Sequence, residues 1–133
     1  MKKYSRQREA LLTEIRSRKD HPTAEDLYFS LRAKMPNYSL GTVYRNLADL
    51  CQDGYIMKIV SGIGPERYDG CIKPHGHFTC TKCGRVSDID GFYEKHIDSN
   101  AIIEEIQNSS VNSDISDISE IRIMLYGSCN NCQ

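Results

Sequence analysis

Between Asp69 and Asp88 the chain gathers two aspartates, two histidines as His75-Gly76-His77 and two cysteines as Cys80-x-x-Cys83, all within twenty positions. A second pair, Cys129-x-x-Cys132, follows near the C-terminus. These residues make two ligand sets of different softness. Four thiolates suit a closed tetrahedral zinc site of structural type. Imidazoles and carboxylates suit a harder, more open site for iron, manganese or zinc. On an extended segment His75 and His77 fall on the same side of the backbone, and Asp69 and Asp88 are near enough in sequence to join them. Each set has a plainer reading: a dithiol redox switch for the cysteines, surface decoration for the histidine pair. A single zinc on the cysteines would staple distant parts of the subunit, since 45 residues separate Cys83 from Cys129.

Enzyme chemistry is hard to find. A zinc deaminase needs His-x-Glu ahead of its cysteine pair, and His75-Gly76-His77 lacks the glutamate. No His-Glu-x-x-His, phosphate loop or dinucleotide fingerprint is present. The chain of 133 residues has room for one ordinary domain or two small ones. With 39% hydrophobic residues and no Trp, each half would have a thin core, which a metal or a partner chain often supplements. The net charge of -1 hides an asymmetry. Residues 1–60 carry eleven Lys/Arg against seven Asp/Glu, the remainder six against eleven. A basic first half suits nucleic acid and an acidic second half does not. No apolar run reaches membrane-spanning length and the opening MKKYSRQREALL is too polar for a signal peptide. The expected location is therefore the cytoplasm, where paired cysteines bind metal more readily than they form disulfides.

The elements that must position these residues can be read in order. Ser5 caps a helix to Arg18 with Leu11, Leu12 and Ile15 on one face, and Asp20-His21-Pro22 breaks it. Thr23 and Asp26 form a capping box for a second helix carrying Leu27, Leu31 and Met35, ended by Pro36-Asn37. Ser39 caps a third, in which Val43, Leu47 and Leu50 face inward with Cys51 beside them, and Gly54 closes it. Its other face presents Thr42, Tyr44, Arg45 and Asn46, groups able to reach base edges or phosphates, or simply to be solvated. Tyr55–Val60 and Glu66–Asp69 read as strands around a Gly-Pro turn. Three helices and a two-stranded ribbon make a winged helix with the third as recognition helix. Beyond Asp69, Phe78–Cys80 and Arg85–Ile89 form a hairpin around Cys80-x-x-Cys83. The isoleucines Ile97, Ile102, Ile103 and Ile106 predict one helix over 91–108, a polar loop covers 108–119, and alternating Ile121, Ile123 and Leu125 predict a last strand. His21 and His96 read as ordinary solvated residues, Cys51 as core, and Cys71 has no assigned role.

The run His21-Pro-Thr-Ala-Glu-Asp-Leu-Tyr28, then Ser39-x-Gly-Thr-Val-Tyr-Arg-Asn-Leu47, Arg67-Tyr-Asp69, His75-x-His77, Cys80-x-x-Cys83-Gly84 and Tyr126-Gly-x-Cys-x-x-Cys132 resembles the ferric uptake regulator (Fur) superfamily. Within it the chain is most similar to the peroxide-responsive repressors, mainly because position 88 is Asp where iron-uptake regulators usually carry Glu. The resemblance implies an α+β fold: an N-terminal winged-helix DNA-binding domain over 1–69 and a small C-terminal α/β dimerisation domain over 70–133, hinged near 67–74. It implies a regulatory Fe²⁺ or Mn²⁺ held by His21, Asp69, His75, His77 and Asp88, and structural Zn²⁺ on Cys80, Cys83, Cys129 and Cys132. It also matches Tyr44 and Arg45 to recognition-helix residues that approach bases; with Ser39, Thr42 and Asn46 of the same helix these are the candidate contacts to double-stranded operator DNA. It implies a homodimer and His21 or His75 as the oxidation-sensitive residue, and no membrane partner is expected. His21 becomes a ligand only by this resemblance.

Overall fold

The computed structural model describes residues 5–109 and 114–132. The fold is α+β. Helices α1 (Arg6–Ser17), α2 (Ala24–Arg32) and α3 (Leu40–Gln52) precede an antiparallel ribbon of β1 (Met57–Ile59) and β2 (Arg67–Asp69). Their local causes are as expected. Ser5 and Ser39 accept from the backbone N–H three residues on, and Thr23 and Asp26 complete a reciprocal capping box that satisfies two otherwise orphaned donors. Gly54, at φ +80°, takes the left-handed turn after α3. Leu11, Ile15, Leu27, Val43 and Leu47 are wholly buried in one cluster, joined by Tyr38 and by Tyr68 of the ribbon. α2 ends at Arg32, before the expected stop at Pro36; Met35 lies beyond the helix and still packs on this cluster.

The second half is a three-stranded sheet in the order β4-β3-β5. β3 (Gly76–Cys80) and β4 (Val86–Ile89) form a hairpin whose turn holds Cys83 and Gly84, the latter at φ +79°. β5 (Met124–Gly127) lies parallel to β3, as strands joined by a long crossover do. The expected single helix over 91–108 is two, α4 (Phe92–His96) and α5 (Ser99–Gln107). Ile97 and Asp98 are extended, and the Asp98 side chain caps α5 by accepting from Ala101 N–H. An N-capping aspartate competes with helix interior, and the isoleucine spacing does not reveal it. The last strand is also displaced. Ile121 and Ile123 precede it, although the Ile123 carbonyl already accepts from His77 N–H. β1 is shorter than 55–60, and β3 starts two residues before Phe78. Of the expected loop over 108–119, residues 110–113 lie outside the described residues.

The two halves touch beyond the expected hinge. Arg122 donates to the Lys58 carbonyl at 3.1 Å, and Tyr126 O–H to the Ser61 carbonyl at 2.7 Å. Among the described residues no helix is long and apolar enough to cross a membrane.

Candidate metal centre

Strand register explains how the acidic and imidazole groups meet. In the β3–β4 hairpin His77 is paired directly with Asp88, so their side chains share a face. Asp69 ends β2. A single antiparallel bridge between Thr23 and Arg67, with a bond from Tyr68 N–H to the Pro22 carbonyl, lays the segment after α1 along β2 and brings His21 in. Four ligand atoms, from His21, Asp69, His77 and Asp88, lie within 4.8 Å of one another. His75 flanks them: its Nε2 is 2.9 Å from Asp69 Oδ2 and 3.1 Å from Asp88 Oδ1. His21 Nε2 is 2.8 Å from Asp88 Oδ1 and His77 Nε2 is 3.0 Å from Asp69 Oδ2.

The rings are aimed by their far nitrogens. His21 Nδ1–H donates to the Val86 carbonyl at 3.0 Å and His75 Nδ1–H to the Lys73 carbonyl at 2.7 Å. Each leaves Nε2 facing the carboxylates, the arrangement that orients imidazole ligands in metal sites. Burial opposes charge on His21, but hydrogen bonds to Asp69 and Asp88 outweigh it and raise its pKa. His75 is likewise raised: burial is outweighed by the Lys73 carbonyl and Asp69. Burial pushes Asp69 up; donors from His21, His77, Cys71 N–H and His75 hold it well below the usual carboxylate range. His21 and His75 thus favour their protonated forms, and Asp69 its ionised form, more than the free side chains do. Ligands about 2.1 Å from an ion lie roughly 3–3.4 Å apart, which matches these spacings, so the set fits a small divalent cation with N/O preference.

The four cysteines also converge, with all four Sγ atoms within 4.8 Å and Cys83 to Cys129 at 3.8 Å. Sulfurs on a tetrahedral zinc stand roughly 3.8 Å apart, so the quartet fits that ion. Backbone N–H groups of Cys129 and Cys83 hold the Cys80 thiol down to about 6. Hydrogen bonds with the Cys129 and Cys83 sulfurs push Cys132 up. Cys71 is exposed, and its backbone N–H serves Asp69.

The ferric uptake regulator family model matches residues 2–126. The chain belongs to the ferric uptake regulator family. It is a metal-responsive regulator of that family, similar to the peroxide operon regulator of Bacillus subtilis, with 31% identity over 126 residues covering 95% of this chain and 81% of the relative. The crystal structure of the Campylobacter jejuni peroxide stress regulator matches with TM-score 0.69 and 28% identity, over 95% of this chain and 88% of that one. The Helicobacter pylori ferric uptake regulator matches with TM-score 0.72 and 25% identity, over 98% and 81%.

On α3 the candidate DNA-facing residues divide. Tyr44 and Arg45 are exposed, and Arg45 Nη2 donates to Thr42 Oγ1 at 2.9 Å. Ser39 is engaged as the helix cap, and the Asn46 amide donates to buried Tyr38 Oη at 2.8 Å. The ring-orienting carbonyls of Val86 and Lys73 left no mark in the spacing of side chains.

Proposed function

We propose that this chain is a metal-dependent, DNA-binding transcriptional repressor that senses peroxide through iron-catalysed oxidation of a ligand histidine. The observation that carries the reading is the convergence of His21, from the helical half, with Asp69, His75, His77 and Asp88. His21, Asp69, His75, His77 and Asp88 would hold a shared cation, and so tie the segment after α1 to the β3–β4 hairpin. In a homodimer the tie fixes the spacing of two recognition helices against two half-sites of double-stranded operator DNA. Coupling of this kind is typically about 1–3 kcal/mol and is reciprocal, so operator DNA tightens metal binding.

Fe²⁺ held by His21, Asp69, His75, His77 and Asp88 would supply catalytic activation of hydrogen peroxide beside the imidazoles and be restored at the end; Mn²⁺ would support the same arrangement without that chemistry. The residues then determine the outcome. The ring of His21 or His75 would give up both electrons: the peroxide O–O bond would break, one oxygen would end on a ring carbon, the displaced ring proton would move to nitrogen, and the other oxygen would leave as water. The oxidised ring is a poorer donor at Nε2, so its bonds to the set are lost and the two halves separate. Cys80, Cys83, Cys129 and Cys132 would hold Zn²⁺, which would secure the sheet and protect the thiols from oxidation. Ser39, Thr42, Tyr44, Arg45 and Asn46 would make the DNA contacts, with Ser39 also capping the helix and Asn46 also bonded to Tyr38. Two features support a second copy as partner: β5 pairs with β3 on one side only among the described strands, and α5 buries none of its residues although Ile102, Ile103 and Ile106 share one side.

An iron, manganese or zinc uptake regulator without redox sensing is the second reading, favoured by the match to the H. pylori protein. Operator binding by the Fe²⁺- and Mn²⁺-loaded dimers, before and after stoichiometric peroxide, decides between them when peptide masses are read on the same samples. Loss of DNA binding in the iron form alone, with one oxygen added to the His21 or His75 peptide, is expected. Retention of DNA by both forms with unmodified histidines leaves the uptake regulator.

A further inference from the structure

His21 holds its place with an unusual backbone. Its φ is +54°, the one positive value at a non-glycine among the described residues. Side chains with a Cβ avoid that region, and a residue before proline is steered towards extended backbone; His21 precedes Pro22. The ring is nearly inaccessible, at 3% exposure. Contacts from outside the segment must therefore hold this conformation.

We propose that Arg67 is a positioning residue for the regulatory site. Its Nη1 donates to the His21 carbonyl at 3.0 Å, and no carboxylate lies within ion-pairing distance of it among the described residues. The inference rests on the regulatory-site reading above. Arg67 begins β2 and Asp69 ends it, so one three-residue strand carries both a carboxylate of the site and the guanidinium that restrains a histidine facing it. The bridge from Thr23 to Arg67 and the bond from Tyr68 N–H to the Pro22 carbonyl fix the chain after His21. The guanidinium holds the His21 carbonyl itself. With that peptide held, the ring reaches the Val86 carbonyl through Nδ1 and turns Nε2 to Asp69 and Asp88. Without it, the backbone relaxes towards an extended form and the ring swings from the set. Because the bridge uses main-chain groups, a side-chain substitution separates the two effects.

The test is Mn²⁺ affinity of the full zinc-loaded chain, measured calorimetrically for wild type, Arg67→Met, Arg67→Lys, His21→Ala and the double variant His21→Ala/Arg67→Met. The metal-free proteins are also scanned by NMR for the protected His21 Nδ1–H signal. Loss of an outer partner of a metal ligand costs about 10–100-fold in affinity. Arg67→Met should weaken Mn²⁺ binding at least tenfold and abolish the imidazole N–H signal, with zinc content unchanged. Arg67→Lys should restore most of both, and Arg67→Met should add nothing in the His21→Ala background. Should Arg67→Met not fold, Arg67→Gln, with a shorter donor, is read in the same way. Wild-type affinity and an intact N–H signal in the Arg67 variant overturn the positioning role, as does an equal loss in the His21→Ala background. If His21→Ala itself leaves Mn²⁺ affinity unchanged, the regulatory-site reading falls with it.

Discussion

Replacing Asp69 by Asn keeps the shape of the side chain and removes the charge on which the site converges. Nε2 atoms of His75, His77 and His21 lie 2.9, 3.0 and 3.4 Å from one oxygen, Oδ2, while Oδ1 accepts from Cys71 N–H at 2.8 Å. The carboxylate is 9% exposed, so solvent screens little of this. Breaking a buried pair by removing one partner costs about 3–5 kcal/mol; the amide retains some hydrogen bonding, so about 3 kcal/mol is expected at pH 6. The sign of the pH dependence follows from the histidines. His21 and His75 have raised folded pKa values. Their contribution is full below about 6.5, the unfolded value, and fades as pH rises through the folded values. Asp69 is lowered; its contribution is present above about 3.9 and fades only as pH falls through the folded value. The deficit of Asp69→Asn should therefore be largest near pH 6 and shrink towards about 1 kcal/mol, one neutral hydrogen bond, as pH rises through the folded histidine values. Urea unfolding of zinc-loaded protein stripped of the second metal, at pH 6 and pH 9, measures it. Equal deficits at pH 6 and pH 9, or none at pH 6, refute the picture of a proton-neutralised cluster. Mn²⁺ binding should show the opposite trend, tightening as pH rises, because it displaces those protons.

Cys83→Ser should lose its zinc, seen by native mass spectrometry, and lose Mn²⁺ binding as well, because β3 joins the two sites; Mn²⁺ affinity equal to wild type would refute the connection. Arg45→Ala should weaken operator binding by about 1–3 kcal/mol in a mobility-shift titration, with Mn²⁺ affinity in the absence of DNA unchanged. Tyr126→Phe removes the bond to the Ser61 carbonyl that ties β5 to the ribbon. A loss of about 1 kcal/mol, close to fivefold in metal-dependent DNA binding, is expected by fluorescence anisotropy, and no change would show that this bond does not favour the DNA-binding arrangement.

Elements controlled by local chemistry were legible in the sequence. Ser5, Thr23 with Asp26, Ser39 and Gly54 mark helix ends by hydrogen-bonding and backbone needs that act within four residues, and each performs that role here. The ligand types and spacings gave both clusters their membership, although His21 entered through family resemblance alone. Spacing has no access to what the register decides. The pairing of His77 with Asp88, and the bridge that carries His21 to β2, depend on how strands align across tens of residues. The break at Ile97-Asp98 was missed because isoleucines on either side keep nearly the same period while the capping aspartate interrupts the backbone. The last strand was placed early because alternation at Ile121 and Ile123 continues into a segment that only later takes up the ladder with β3. Backbone carbonyls that orient the histidines carry no residue signature.

β3 is five residues long, with His77 near one end and Cys80 at the other. It pairs with β5 in a parallel register that sets His77 against Met124 and Cys80 against Gly127. Bringing β5 to that register closes a long excursion of the chain, and thiolate ligation just beyond both strand ends offsets the entropy of doing so. On the proposed function, the two metals would therefore be ordered in time during the life of the molecule. A zinc on the four cysteines would have to arrive while the chain is maturing, because it would secure the strand on which His77 is displayed; the proposed regulatory ion could come and go afterwards. A cell short of zinc would accumulate newly made chains deaf to the second metal however abundant that metal is, while older copies continued to respond.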